Sequence, residues 1–550
     1  MTEAAPLSFD LRTQPWLLAR FPDGRVRELS LLDTFARAHE IMDLIGEVPT
    51  QSFALYRLLL AILYRSLPPV DNPILAWKQL WDGAELPGEW IEDYLGEHAH
   101  RFDLLHPQTP FYQVADLHTH KDDVFGLERL IADVPNGHQF FTTRRAAGLE
   151  AISFAEAARW LMHAQAFDPA GIKSGAIGDG RVKDGKGHPH GPAWAGQLGG
   201  ILLEGESLKQ TLLLNLVLGE TADTARRDAD SAVWERPAQT AAVEDTDDRV
   251  PQGPVDLLTW QSRRIRLAHD GECVTGVLIA NGDALRPQNR HTVEHMTAWR
   301  RSEAQEKKPG EKLVYMPRTH NPERSFWRGL AALIPQATRA QMTADGAAAL
   351  APGTVHWVRT LRNHGAIDAD FPLRTHALGI RYGTQSSTVV EIIDDVLDMD
   401  LVLVLEEGVR LAAAAEDTVA ATEKAINAVA FLAANLAVAA GGYPEGARER
   451  ARERAYFLVD PRFRSWLARL RSSSDPETVR IAWNEETYRL LRELGKEVIA
   501  GAGPAAWIGR ERTVGGHVSS AEAFVWFERA LSAALPRPAE MEGPEVEEAL

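Results

Sequence analysis

One cysteine, Cys273, stands in 550 residues. It excludes an intramolecular disulfide and any cysteine-based zinc cluster, and it fits a reducing cytoplasm. Long hydrophobic runs are also scarce. The most apolar, residues 425–440, is shorter than a membrane span and carries Asn427 and Asn435, so it reads as a buried helix and no membrane partner is expected. The N-terminus lacks the charged-then-apolar pattern of a secretory signal. Cations are in deficit. A net charge of −18 argues against a protein that coats nucleic acid over its whole surface. Local basic patches remain possible, because screening confines each charge to about 8–10 Å.

What is present describes a soluble globular chain, 45% hydrophobic and 25% charged. It is too long for one hydrophobic core, so two or more domains are expected. Fifteen tryptophans favour large cores and interfaces.

The most distinctive stretch is residues 168–192, DPAGIKSGAIGDGRVKDGKGHPHGP, in which seven glycines sit among Lys173, Arg181, Lys183 and Lys186. Ordering such a segment costs conformational entropy, and its backbone can approach another molecule closely. The interleaved cations suit a polyanion such as a nucleic acid. A surface loop is the plain alternative.

Around it the pattern is mixed. A hairpin is expected over residues 8–26 with a turn at Gly24, helices over 31–38, 51–67 and 154–166, and strands over 259–268 and 273–279. The polar stretch 220–253 reads as a loop or insertion. From Val389 helical periodicity dominates, over 389–405, 409–440, 447–472, 476–500 and 519–534, broken at Gly441-Gly442 and before Pro476. The predicted fold class is α+β: a large, loop-rich mixed domain over 1–385, followed by a helical bundle of the four-helix type over 386–550.

The search for chemistry is largely negative. Residues 180–187 approach a P-loop, but Gly187 stands where a hydroxyl is needed and Pro189 and Pro192 forbid a helix. His291, Glu294 and His295 spell H-x-x-E-H, and on a helix both imidazoles would share a face as zinc requires. A zinc-dependent hydrolase is therefore the alternative reading, set against histidines in a basic region. Arg263, Arg264, Arg286, Arg290, Arg300, Arg301, Lys307, Lys308, Arg510 and Arg512 lie near loops, where they can reach phosphates or form salt bridges. Gln385, in a small polar segment, is either part of a hinge or a base-edge reader on a loop.

Taken in order, FDLRTQPWLLAR (9–20), PDGRVRELSL (22–31), HPQTPFYQV (106–114), GIKSG (171–175) with LKQTLLLNLVLGE (208–220), and GIRYGTQSSTVVEIIDDVL (379–397) resemble the large subunit of type I-E Cascade, the CasA family of the CRISPR surveillance complex. The resemblance implies a non-catalytic, cytoplasmic subunit that recognises the protospacer-adjacent motif (PAM) from the minor groove of duplex DNA and starts strand separation. Guide pairing would supply the remaining specificity.

The family's glycine loop is similar to Pro169-Ala170-Gly171, anchored on Lys173. Its glutamine wedge resembles Gly383-Thr384-Gln385, with Gln385 the wedge. Its mobile PAM-contacting loop resembles residues 134–141, with Asn136 and Gly137 as contacts. Its lysine finger falls near Asn281, with Arg286 or Arg290 as cationic substitutes. Implied partners are double-stranded target DNA, the backbone and small helical subunits of a crRNA-containing Cascade, and the helicase–nuclease. Support of R-loop formation is implied, with no cofactor and no metal.

Overall fold

Pro49 supplies the first helical turn and Leu67, ahead of Pro68, ends the helix Pro49–Ser66, as X-Pro sterics require. Nearly every side chain of this helix is buried, and it packs against helix Phe154–Phe167, capped by Ser153 on the Glu156 N–H. In this computed structural model the described residues are 7–134, 149–219, 224–243, 249–307, 312–334, 342–343, 346–368, 371–511 and 516–537. They fall into two compact units. The first comprises 1–324, 340–368 and 373–396; the second comprises 325–339, 369–372 and 397–550.

The first unit is built of small sheets around those helices. The opening hairpin, Leu17–Arg20 with Val26–Leu29, turns at Gly24 in the left-handed region (φ +80°) and adds strand Asp43–Ile45 on its other edge. A four-stranded sheet has the order Lys186–Gly187, Lys173–Ser174, Val274–Asn281, Arg263–His269, with Ser174 pairing parallel to Ala280. A three-stranded sheet has the long strand Pro372–Tyr382 at its centre, between Gly200–Glu204 and Val389–Asp400.

The second unit is helical. Helix Val409–Ala440 packs against Pro444–Leu467, Pro476–Ala500 and Ser520–Ala534, so the α+β class with a C-terminal bundle is what the chain adopts. By length and composition helix Val409–Ala440 could cross a membrane, yet Ile426, Val429, Ala430 and Ala439 are buried within the bundle. It ends at Gly441 (φ +90°), where the Gly442 N–H returns to the Ala437 carbonyl in a Schellman closure. An aromatic stack fills the unit: Trp327 lies 4.1 Å from Phe463, which meets Trp483 edge-on at 5.1 Å.

Four expectations are corrected. Residues 389–400 form a strand, not the start of a helix; the doublets of VVEIIDDVL satisfy a helical period, but hydrogen bonding to Pro372–Tyr382 decides the conformation. The units accordingly part between Val396 and Leu397, eleven residues beyond the expected boundary at 385. Segment 224–243 is no loose insertion: Trp234 is buried 5.1 Å from Phe102 and donates to the Tyr94 hydroxyl at 2.7 Å, while Glu235 pairs with Arg65. Residues 176–192, read within the stretch that a surface loop could also explain, are built into the unit. Ala176 joins a core cluster with Val114, Leu278 and Ala280, and Lys186–Gly187 is a sheet strand.

Candidate functional site

Helix Phe154–Phe167 ends at Asp168, and the chain then turns into Pro169-Ala170-Gly171. Asp168 is buried, with Lys173 Nζ at 2.5 Å and the Arg263 guanidinium also on its carboxylate. Burial alone would raise the Asp168 pKa; the charges of Lys173 and Arg263 outweigh it and hold the carboxyl below its ordinary range. Burial pulls the Lys173 ammonium down, opposed by Asp168. Arg263 Nη2 also donates to the carbonyls of Asp168 (3.0 Å), Pro169 (3.1 Å) and Gly191 (3.1 Å). The base of the loop is therefore rigid. Its tip is open: Gly171 has φ +150° with free space around it, and Ile172 is 61% exposed.

Opposite stands the turn of the long hairpin. The Gly383 N–H bonds the Thr388 carbonyl (2.9 Å) and the Ser386 N–H returns to the Gly383 carbonyl (2.9 Å), which closes a tight loop. Gln385 is exposed at its apex in left-handed backbone (φ 56°, ψ 21°), and Ser386 follows with φ 54°. A cleft of about 340 Å³ lies between the two elements, lined by Val134, Pro169, Gly171, Lys173, Ser387 and Val389 among others. His163 closes its floor; burial lowers this imidazole to about 3, so it is neutral, and its Nε2 lies 3.0 Å from Thr50 Oγ1.

The expected glycine loop and the flank of the expected wedge thus share one cleft. Val134 brings the start of the third expected loop to it, while Asn136 and Gly137 lie outside the described residues.

The remaining candidates separate. Asn281 is buried at a strand end, its Nδ2 donating to the His188 carbonyl at 2.8 Å and its amide against Gly187, so it holds the loop. Arg286 is exposed and Arg290 half-buried, with Arg290 Nε donating to the Arg286 carbonyl at 3.2 Å. Neither lines the cleft. Arg263 and Arg264 are not surface cations; the second pairs with Asp283 at 2.7 Å in the interior. Arg301 pairs with Glu306 at 2.8 Å. Arg512 and Lys308 lie outside the described residues.

The H-x-x-E-H reading is overturned. Residues 291–295 form a turn, not a helix. Glu294 is fully buried against Arg57 (3.0 and 2.9 Å) and accepts from Trp194 Nε1 at 2.8 Å. Burial would raise its pKa, but Arg57 holds it below the ordinary range. His291 packs edge-on against Trp299 and Tyr315. Among the described residues no group of three His, Cys, Asp or Glu side chains could hold a metal.

The family model of CRISPR-associated protein Cse1 matches residues 10–494, most of the chain. The chain belongs to the Cse1 family, that of the large subunit of type I-E Cascade. The crystal structure of Thermobifida fusca Cse1 is 47% identical, covers 96% of this chain and 98% of its own, and superposes with a TM-score of 0.88. That of Cse1 from Acidimicrobium ferrooxidans is 30% identical, with 96% and 99% coverage and a TM-score of 0.80. CasA/Cse1 of Thermus thermophilus is 31% identical over 334 residues, which span 60% of this chain and 60% of that relative.

Within this Cse1 fold one exposed cation of the cleft has no counterpart in the sequence reading. Arg129 lines the cleft and is exposed, and nothing in its local run FGLER marks it.

Proposed function

We propose that this Cse1-family chain is a non-catalytic, cytoplasmic DNA-recognition subunit of a crRNA-guided complex. It reads the PAM of duplex target DNA from the minor groove and starts strand separation with Gln385. Pro169, Ala170 and Gly171 offer backbone to the groove, Lys173 holds that loop in place, and Gly383 and Thr384 present the wedge. Asn136 and Gly137 complete the contact, and Arg286 or Arg290 supplies phosphate binding beside it. The bundle meets the small helical subunits, and the assembled complex supports the R-loop and recruits the helicase–nuclease.

The observation that carries this reading is the shared cleft between the Gly171 loop and the Gln385 hairpin. A rigid base with an exposed tip on each side suits a probe of a groove, since neither tip must be ordered on binding. Two cations line the cleft, Arg129 and Lys173, and Lys173 is held by the buried Asp168, which leaves the exposed Arg129 to meet a polyanion.

The test uses the assembled complex on duplexes that differ only in the PAM. Gln385→Ala slows R-loop formation on duplex DNA and spares binding to single-stranded target. Equal loss on both substrates would remove the wedge assignment, and PAM-independent binding would remove the reading as a whole.

A further inference from the structure

Arg129 stands out among the cleft cations because none of the described residues is its counter-ion. Lys173 is committed to Asp168, whereas Arg129 forms no ion pair among the described residues. Its neighbour Glu128 folds its carboxylate back over the Gly126 Cα. The Arg129 guanidinium instead lies 3.4 Å from the centroid of the Phe125 ring.

That ring is itself fixed. Phe125 packs on the cluster of Val114, Leu117, Leu278 and Ala280, and its backbone exchanges hydrogen bonds with Val277 at 3.0 and 2.9 Å. A flat cation braced on an anchored ring has one face covered and its N–H edge free. Such an edge matches two phosphate oxygens at once, with little rotamer entropy left to lose on binding.

We propose that Arg129, braced by Phe125, is a phosphate ligand of this cleft, gripping the backbone of the nucleic acid whose groove the Gly171 loop and Gln385 enter. The inference rests on the reading of the cleft as a DNA site. It adds a sequence-independent anchor to that site. Placement at the cleft wall lets Arg129 fix the register of the strand while leaving base discrimination to the tips.

The test is the salt dependence of duplex binding by the assembled complex, with matched and mismatched PAMs. Arg129→Gln lowers affinity roughly tenfold on both duplexes alike and reduces the slope of log affinity against log salt by about 0.9, one phosphate's share. Arg129→Lys restores the slope but only part of the affinity, because a lysine is not held flat. Phe125→Leu leaves the slope and weakens binding.

If Arg129→Gln changes neither affinity nor slope while PAM discrimination is intact, the proposal is wrong and the DNA reading stands. A loss confined to one PAM would also overturn it, since that would make Arg129 a base reader. If the wild-type complex shows no PAM dependence, the DNA-recognition reading fails, and an unchanged slope then sinks both.

Discussion

The Nε2 of His376 lies 2.6 Å from Asp394 Oδ1, and its Nδ1 lies 2.6 Å from Glu204 Oε1. One imidazole thereby bridges all three strands of the sheet that carries the Gln385 turn. Burial alone would lower the pKa of this histidine; the hydrogen bonds it donates to Asp394 and Glu204 outweigh it and lift the group to about 9. The ring is charged at neutral pH and clamps the hairpin.

A pH dependence follows. An unfolded histidine titrates near 6.5, so the clamp stabilises the fold fully below that pH and loses its effect as pH rises through about 9. His376→Gln should cost about 1–2 kcal/mol at pH 6.5, after allowing for the half-exposed Asp394. The wild-type and variant melting temperatures should converge by pH 10, and a constant gap across that range would refute the clamp.

Glu294→Gln leaves Arg57 charged in the interior and should destabilise the chain by roughly 3–5 kcal/mol in chemical denaturation. Replacing both Arg57 and Glu294 with methionine should recover a large part of that loss. Added zinc should leave the denaturation midpoint unchanged; a zinc-dependent rise would restore the hydrolase reading.

Gly171→Ala places a Cβ in a backbone region that costs an L-residue about 1–3 kcal/mol, and the open loop tip can relax to avoid it. Duplex binding should weaken while the melting temperature hardly moves. Gly175→Ala is the contrast: its Cβ would run into the Gly185 carbonyl and Val182 within the sheet, so stability should fall as well. Equal melting losses in the two variants would mean that the tip is not free.

Gln385→Gly relieves left-handed backbone worth about 1–2 kcal/mol and removes the amide. Stability should hold or rise while R-loop formation slows. A variant with the wild-type rate would show that the turn, not its side chain, does the work.

The sequence carried the fold wherever one element governs itself. The helices Pro49–Ser66, Phe154–Phe167 and Pro476–Ala500 have their stops or caps written beside them, as Pro68, Ser153 and Asp475 show. It failed where a distant partner decides. Residues 389–400 became a strand through Pro372–Tyr382, and Arg263 and Arg264 became interior ion-pair members through Asp168 and Asp283. The site divided the same way. Its glycine loop and its Gln385 turn were legible as local conformational exceptions, whereas Arg129 is distinguished only by the ring beneath it.

Arg263 gathers carbonyls from both ends of the glycine run, at Asp168 and Pro169 on one side and Gly191 on the other. Between those ends the run is stitched to itself, for Lys186–Gly187 pairs with Lys173–Ser174 and the Gly185 carbonyl backs onto Gly175. The Asp184-Gly185 turn, where φ is 52° and 70°, is thus mechanically joined to the strand that follows the Gly171 tip. A length change in that turn would be transmitted to the cleft from behind.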